Sequence, residues 1–224
     1  MTDRDDDRNT PLHLAAIYGQ FGACACLIIE QGADVNAVGG DPASTPLQCV
    51  WSKRDGLVEI IDLLIQHGAN PRLVDSQGFN CVHSIVHSSN YWALLYILAC
   101  QPDIAVDEID HMDRTPLHCA AHQGEEGLTQ ILLKMGADPN AIDRDGRTAL
   151  HSAAVSGNNG CIAQLLKAGA NALAKDRGLR TAQQISAQHG KGDNWKSAVE
   201  GLGFGADGTR VRRPLSEVRG LPEP

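Results

Sequence analysis

Aromatic residues are scarce. Three each of Phe, Trp and Tyr make up 4% of the 224 residues, so a core must be assembled from Leu, Ile, Val and Ala in thin layers, not around large rings. Basic charge is short as well: 19 Lys and Arg against 27 Asp and Glu give a net charge of -8, which repels a phosphate backbone and argues against nucleic acid as a partner. Long apolar runs are missing. YWALLYILAC, Tyr91 to Cys100, is half of the roughly 20 residues needed to cross a bilayer, and no membrane span is expected in this chain. The start MTDRDDD offers no apolar secretory segment, and none of the seven cysteines is spaced CxxC; both fit a reducing, cytoplasmic setting. GxxxxGK[ST] does not occur and GLGFG at Gly201 to Gly205 follows no strand pattern, which leaves nucleotide binding unsupported.

What the chain has in abundance is self-similarity. TPLHLAAIYGQ begins at Thr10, TPLQCVWSKRD at Thr45, NCVHSIVHSSN at Asn80, TPLHCAAHQGE at Thr115, TALHSAAVSGN at Thr148 and TAQQISAQHGK at Thr181, a period of 33 to 35 residues. A second phrase recurs in phase with the first: QGADVNA at Gln31, HGANPRL at His67, MGADPNA at Met135 and AGANALA at Ala168. Thr followed by Pro supplies a capping hydroxyl and a residue with preset φ, so a short helix starts there. Gly19, Gly124, Gly157 and Gly190 stand nine positions after the motif Thr, where a left-handed residue stops a helix. A second helix follows with apolar residues at helical spacing: Ala25, Ile28 and Ile29; Ile60, Leu63 and Leu64; Leu128, Ile131 and Leu132; Ile162, Leu165 and Leu166. Polar links such as VDSQG (Val74 to Gly78) and IDRDG (Ile142 to Gly146) then form β-turn fingers.

The pattern D-x-x-G-x-T-P-L-H-x-A-A-x-x-G with G-A-D-x-N resembles the ankyrin repeat. The resemblance implies an all-α ankyrin-repeat solenoid of about six helix-turn-helix repeats with β-turn fingers, each layer burying a face it could not bury alone. Residues 1–9 are then an acidic, frayed N-terminus, 10–200 the repeats, and 201–224 a disordered Gly/Arg/Pro-rich tail whose Arg210, Arg212 and Arg213 form a basic cluster. Departures mark weaker layers. Repeat two has Trp51 for a small Ala and Arg54 for the stop Gly, repeat three has Ser89 for that Gly and an irregular QPDIAVD, and repeat six has polar Gln183 for Leu, as a terminal cap needs.

AVGGDPASTPLQ (Ala37 to Gln48), DSQGFN (Asp75 to Asn80), VHSSN (Val86 to Asn90), ILACQPDIAVDE (Ile97 to Glu108) and DGTRVRRPLSE (Asp207 to Glu217) look like the ankyrin region of fungal DHHC protein S-palmitoyltransferases. That resemblance implies a cytosolic array, placed on Golgi or endosomal membranes if part of such a protein, which precedes transmembrane helices and recruits substrates for a zinc-bound DHHC domain. The chain contains no DHHC tetrad, so no catalytic residue carries over. The family often has Trp four places after the motif Thr; here those places are Leu14, Cys49, Ser84, Cys119, Ser152 and Ile185.

RTPLHCAAHQG places His118, Cys119 and His122 within five residues, a spacing open to metal ligation or to a cysteine nucleophile beside a base. His13, His83, His118 and His151 recur once per layer, however, and residues of one active site would not; they read as a ladder in which ring nitrogens tie one loop to the next. The pairs His83/His87 and His118/His122 lack HExxH's Glu or a third ligand, so no metal and no cofactor is expected. Cys24, Cys26, Cys49, Cys81, Cys100, Cys119 and Cys161 read as small buried hydrophobes. A partner protein or peptide is expected on finger tips and the concave side of first helices: Ser76, Gln77 and Phe79; His111, Met112 and Arg114; Arg144, Asp145 and Arg147; and Lys53, His87, His122 and Gln123. Phe79 and Met112 either form an exposed apolar pair on adjacent fingers or fold back onto their own fingers. The functional expectation is a monomeric, non-catalytic binding scaffold, or alternatively the substrate-recruiting portion of a membrane S-palmitoyltransferase.

Overall fold

The computed structural model describes residues 4–50, 57–101, 104–200 and 202–210; Trp51, Lys53 and Arg54 fall outside them, as do Arg212 and Arg213. Thr10, Asn80, Thr115, Thr148 and Thr181 stand at the N-caps of first helices: α1 (Pro11–Ile17), α4 (Cys81–His87), α6 (Pro116–Gln123), α8 (Ala149–Ser156) and α10 (Ala182–Gln188). Proline at the first position starts α1 and α6, and Gly124 and Gly157, both at φ 76, stop α6 and α8 in the left-handed region. In repeat three Ser89 takes the same turn, at φ 55, which costs a side-chain-bearing residue some strain.

The second helices are α2 (Phe21–Ala25), α3 (Leu57–Gln66), α5 (Tyr91–Cys100), α7 (Glu126–Lys134), α9 (Asn159–Lys167) and α11 (Gly192–Glu200). α4, α6, α8 and α10 pack side by side in one layer, while α3, α5, α7, α9 and α11 form the other. The core lies between them. Repeats three to five contribute a leucine or valine from the first helix, Val82, Leu117 or Leu150, and repeats two to five contribute Ile or Leu side chains from the second, such as Ile60 and Leu64 or Leu128 and Leu132. The array is an all-α ankyrin solenoid; among the described residues β structure is confined to isolated bridges at Gly39/Ser44, Lys175/Thr181 and Phe204/Arg210.

Two packing expectations are corrected. Ile29, placed on the buried stripe of repeat one, is 63% exposed: after α2 the backbone widens into a π-helical turn, Cys26–Glu30, in which Gln31 N–H donates to Cys26 O. The extra residue rotates the register, and Cys24 and Ile28 take the core positions. Cys100 is exposed and Cys26 and Cys119 half-buried, whereas Cys24, Cys49, Cys81 and Cys161 are buried as expected.

Among the described residues seven fingers accompany the repeats, five between them and one at each end. Each has a left-handed fourth residue: Arg8, Ala43, Gly78, Asp113, Gly146, Leu179 and Gly208. In the third, Asp75 N–H donates to Phe79 O at 3.0 Å, and Asp75 Oδ1 accepts Gln77 N–H and Phe79 N–H at 2.8 and 2.9 Å. The same scheme recurs at Asp110 and Asp143. Backbone bonds chain the fingers: Ser76 N–H to Pro42 O, His111 N–H to Gln77 O, Arg144 N–H to Met112 O and Arg177 N–H to Asp145 O. The end fingers lie in segments expected to be frayed or disordered. Asp5 Oδ1 accepts Asn9 N–H at 2.7 Å, and Gly205 N–H donates to Thr209 O at 2.8 Å while Trp195 Nε1 donates to Ala206 O at 2.9 Å.

Candidate partner-binding groove

The His column forms the expected ladder. Nε2 of His13, His83, His118 and His151 lies 2.9, 3.1, 2.9 and 3.2 Å from the carbonyl oxygens of Ser44, Arg114, Arg147 and Arg180, each in the next finger. Thr10, Thr115 and Thr148 donate their N–H to Nδ1, so these rings carry the proton on Nε2. Burial pulls the pKa of all four below the ordinary histidine value. Gln48 fills the column in repeat two and donates to Leu73 O and Phe79 O. The ladder consumes both nitrogens of His118, and burial pushes the neighbouring Cys119 thiol up to about 11. A thiol held protonated beside a ring with no free nitrogen is no activated nucleophile.

Finger bases and first helices enclose a groove of about 790 Å³. Its floor is Ser84, Cys119 and Ser152, members of the column in which the resembled family often has Trp; small side chains there open the space. Pro42, Gln77, Phe79, Arg114 and Arg147 line it from the fingers, and His87, Ser88, His122, Gln123 and Val155 from α4, α6 and α8. Of the residues singled out in the sequence, Gln77, Phe79, His87, Arg114, His122, Gln123 and Arg147 therefore meet in one cavity. Ser76, His111, Met112, Arg144 and Asp145 stand apart on the finger turns, and Lys53 lies outside the described residues.

The geometry separates Phe79 from Met112. Met112 is 46% exposed on its finger, whereas Phe79 is half-buried, stacked on His83 at 5.4 Å with planes 4° apart and covered by the Arg114 guanidinium 5.9 Å from its ring centre. Arg114 is itself held, its Nε and a terminal nitrogen 2.8 and 2.7 Å from Asp110 Oδ2. Arg147 pairs more loosely with Asp145 at 3.4 Å, and its buried Nε has no partner. Gln123, expected to be free, donates through Nε2 to His87 at 3.2 Å; His122 is exposed. Among the described residues no group of three His, Cys, Asp or Glu is placed to hold a metal, and no helix is long and apolar enough to cross a membrane. A patch on α5 went unforeseen: Trp92 is 72% exposed beside exposed Tyr91 and Leu95. The helix is apolar all round, so its periodicity names no outer face.

Capped helix pairs, a histidine ladder and chained fingers define an ankyrin-repeat solenoid. Sequence comparison concurs: a family model of three ankyrin repeats matches residues 103–176, one of a single repeat matches 7–40, and the chain is built of ankyrin repeats. It is 39% identical over 142 residues to palmitoyltransferase AKR1 of Lachancea kluyveri, covering 62% of this chain and 19% of the relative. Palmitoyltransferase akr1 of Schizosaccharomyces pombe is 43% identical over 122 residues, 54% and 18% of the two chains. Human palmitoyltransferase ZDHHC13 is 34% identical over 140 residues, 62% and 22%. The chain thus spans about a fifth of the length of these relatives.

Proposed function

We propose that the inner face of the array captures an extended segment of a partner protein, with the groove over α4, α6 and α8 as its seat. The observation that carries this is the groove itself: a continuous cavity of about 790 Å³ floored by small side chains and walled by an aromatic ring and two arginines. A photo-crosslinking residue in place of His122 is expected to join the array to its partner in a cell lysate, and one in place of Trp92 is not. Crosslinks from position 92 alone would move binding to the second helices and reject the groove.

A second reading rests on the relatives, all named palmitoyltransferases. In it this chain is the substrate-recruiting portion of a longer S-palmitoyltransferase on a Golgi or endosomal membrane, and the captured segment belongs to a protein to be acylated. Messenger RNA from the source cell that continues past the Pro224 codon into several apolar stretches of about 20 residues and a DHHC cysteine-rich segment supports this reading. A stop codon there rejects it.

A further inference from the structure

The fingers show which group the groove lacks. In the fourth and sixth, the second oxygen of the aspartate is covered by the arginine four residues on: Arg114 reaches Asp110 Oδ2 through Nε and a terminal nitrogen at 2.8 and 2.7 Å, and Arg180 reaches Asp176 Oδ2 at 3.1 and 2.7 Å. The third finger has Phe79 in the arginine's place. Asp75 is 6% exposed and lines the groove; its Oδ1 accepts two backbone N–H groups, while no donor among the described residues reaches Oδ2. Arg114 does not fill the gap, because its guanidinium is spent on Asp110 and on the face of Phe79. Asp143, the other carboxylate lining the groove, is half-exposed and keeps contact with water, whereas Asp75 is nearly buried.

Resting on the groove reading above, we infer that the groove beside Asp75 is a subsite for one lysine or arginine side chain of the bound segment, which supplies from outside the cation that the fourth and sixth fingers supply from within. A nearly buried carboxylate with an open oxygen favours a charged donor strongly, since both partners are stronger away from water. Phe79, Pro42 and Ser84 line the same groove and give the methylenes of that side chain a surface to rest on. The net charge of -8 draws basic segments toward the array.

The test uses three fluorescent, extended peptides of one sequence, differing by Lys, Gln or Glu at a single position, with binding followed by anisotropy at near-physiological salt. The Lys peptide should bind, and the Gln and Glu peptides more weakly by about tenfold or more. Asp75→Asn should erase that preference: its amide oxygen keeps the two backbone bonds, so the finger survives while the charge goes. Phe79→Arg should erase it too, by supplying the arginine that covers the aspartate in the fourth and sixth fingers. Asp193→Asn, a fully solvated carboxylate on α11, should leave the preference intact. Failure of the Lys peptide to bind, equal binding of all three, or an Asp75→Asn effect no larger than that of Asp193→Asn overturns the subsite. If position 122 crosslinks the partner while the Lys preference is absent, the groove stands and the cation subsite falls; crosslinks from position 92 alone remove both.

Discussion

At the scale of single residues, the histidine column makes the array sensitive to acid. Burial lowers the folded-state pKa of His13, His83, His118 and His151 from the ordinary 6.5, so the native state holds neutral rings while the unfolded chain takes up protons below about pH 6.5. Stability is therefore complete above that pH and falls as pH drops through it, by up to about 1.4 kcal/mol per pH unit for each ring. His118→Gln should flatten this dependence by about one ring's share, because Gln48 fills the same column with its amide on the next finger's carbonyls. Urea unfolding at several pH values between about 5.5 and 7.5 measures the slope; a variant as acid-sensitive as the parent would exclude His118 as a contributor. The ladder was legible in the sequence because one residue type returned at one register. The pairing of Arg114 with Asp110 was not, since it depends on where two side chains meet on a finger.

At the scale of the element, the finger repeats one backbone course with different residues at its left-handed position. Gly78, Gly146 and Gly208 adopt it freely, whereas Leu179 adopts φ 59 with its side chain 73% exposed. Leu179→Gly removes a strained conformation and little packing, and should stabilise the array by about 0.5–1 kcal/mol; a lower melting temperature would show that the leucine packs in solution. The end fingers at Asp5 and Gly205 escaped the sequence reading because the first has Arg8 and Asn9 where glycine and a flanking residue are expected, and the last has Gly205 in place of the aspartate. Their backbone bonds survive these changes, as the hydrogen-bonding groups belong to the main chain.

For the whole molecule, each layer is stabilised by its neighbours, so the C-terminal end depends on what covers α11. Trp195 is buried, donates to Ala206 O, and packs its ring near Gly208. Trp195→Ala should cost about 3–5 kcal/mol, with hydrogen exchange rising first in α10 and α11, because nearest-neighbour coupling lets an end layer open alone. Uniform acceleration throughout the array would indicate one cooperative unit instead. The sequence by itself determined the repeat, its helix starts and stops and the inner-face columns, all of which follow from local capping chemistry and a period that every layer must obey. Tertiary structure alone decided that Phe79 turns inward onto His83, that Met112 stays out on its finger, and that Asp75 faces the groove without the arginine its counterparts have. Those outcomes depend on which side chains of successive repeats come within contact, and stacking sets that distance where spacing along the chain does not.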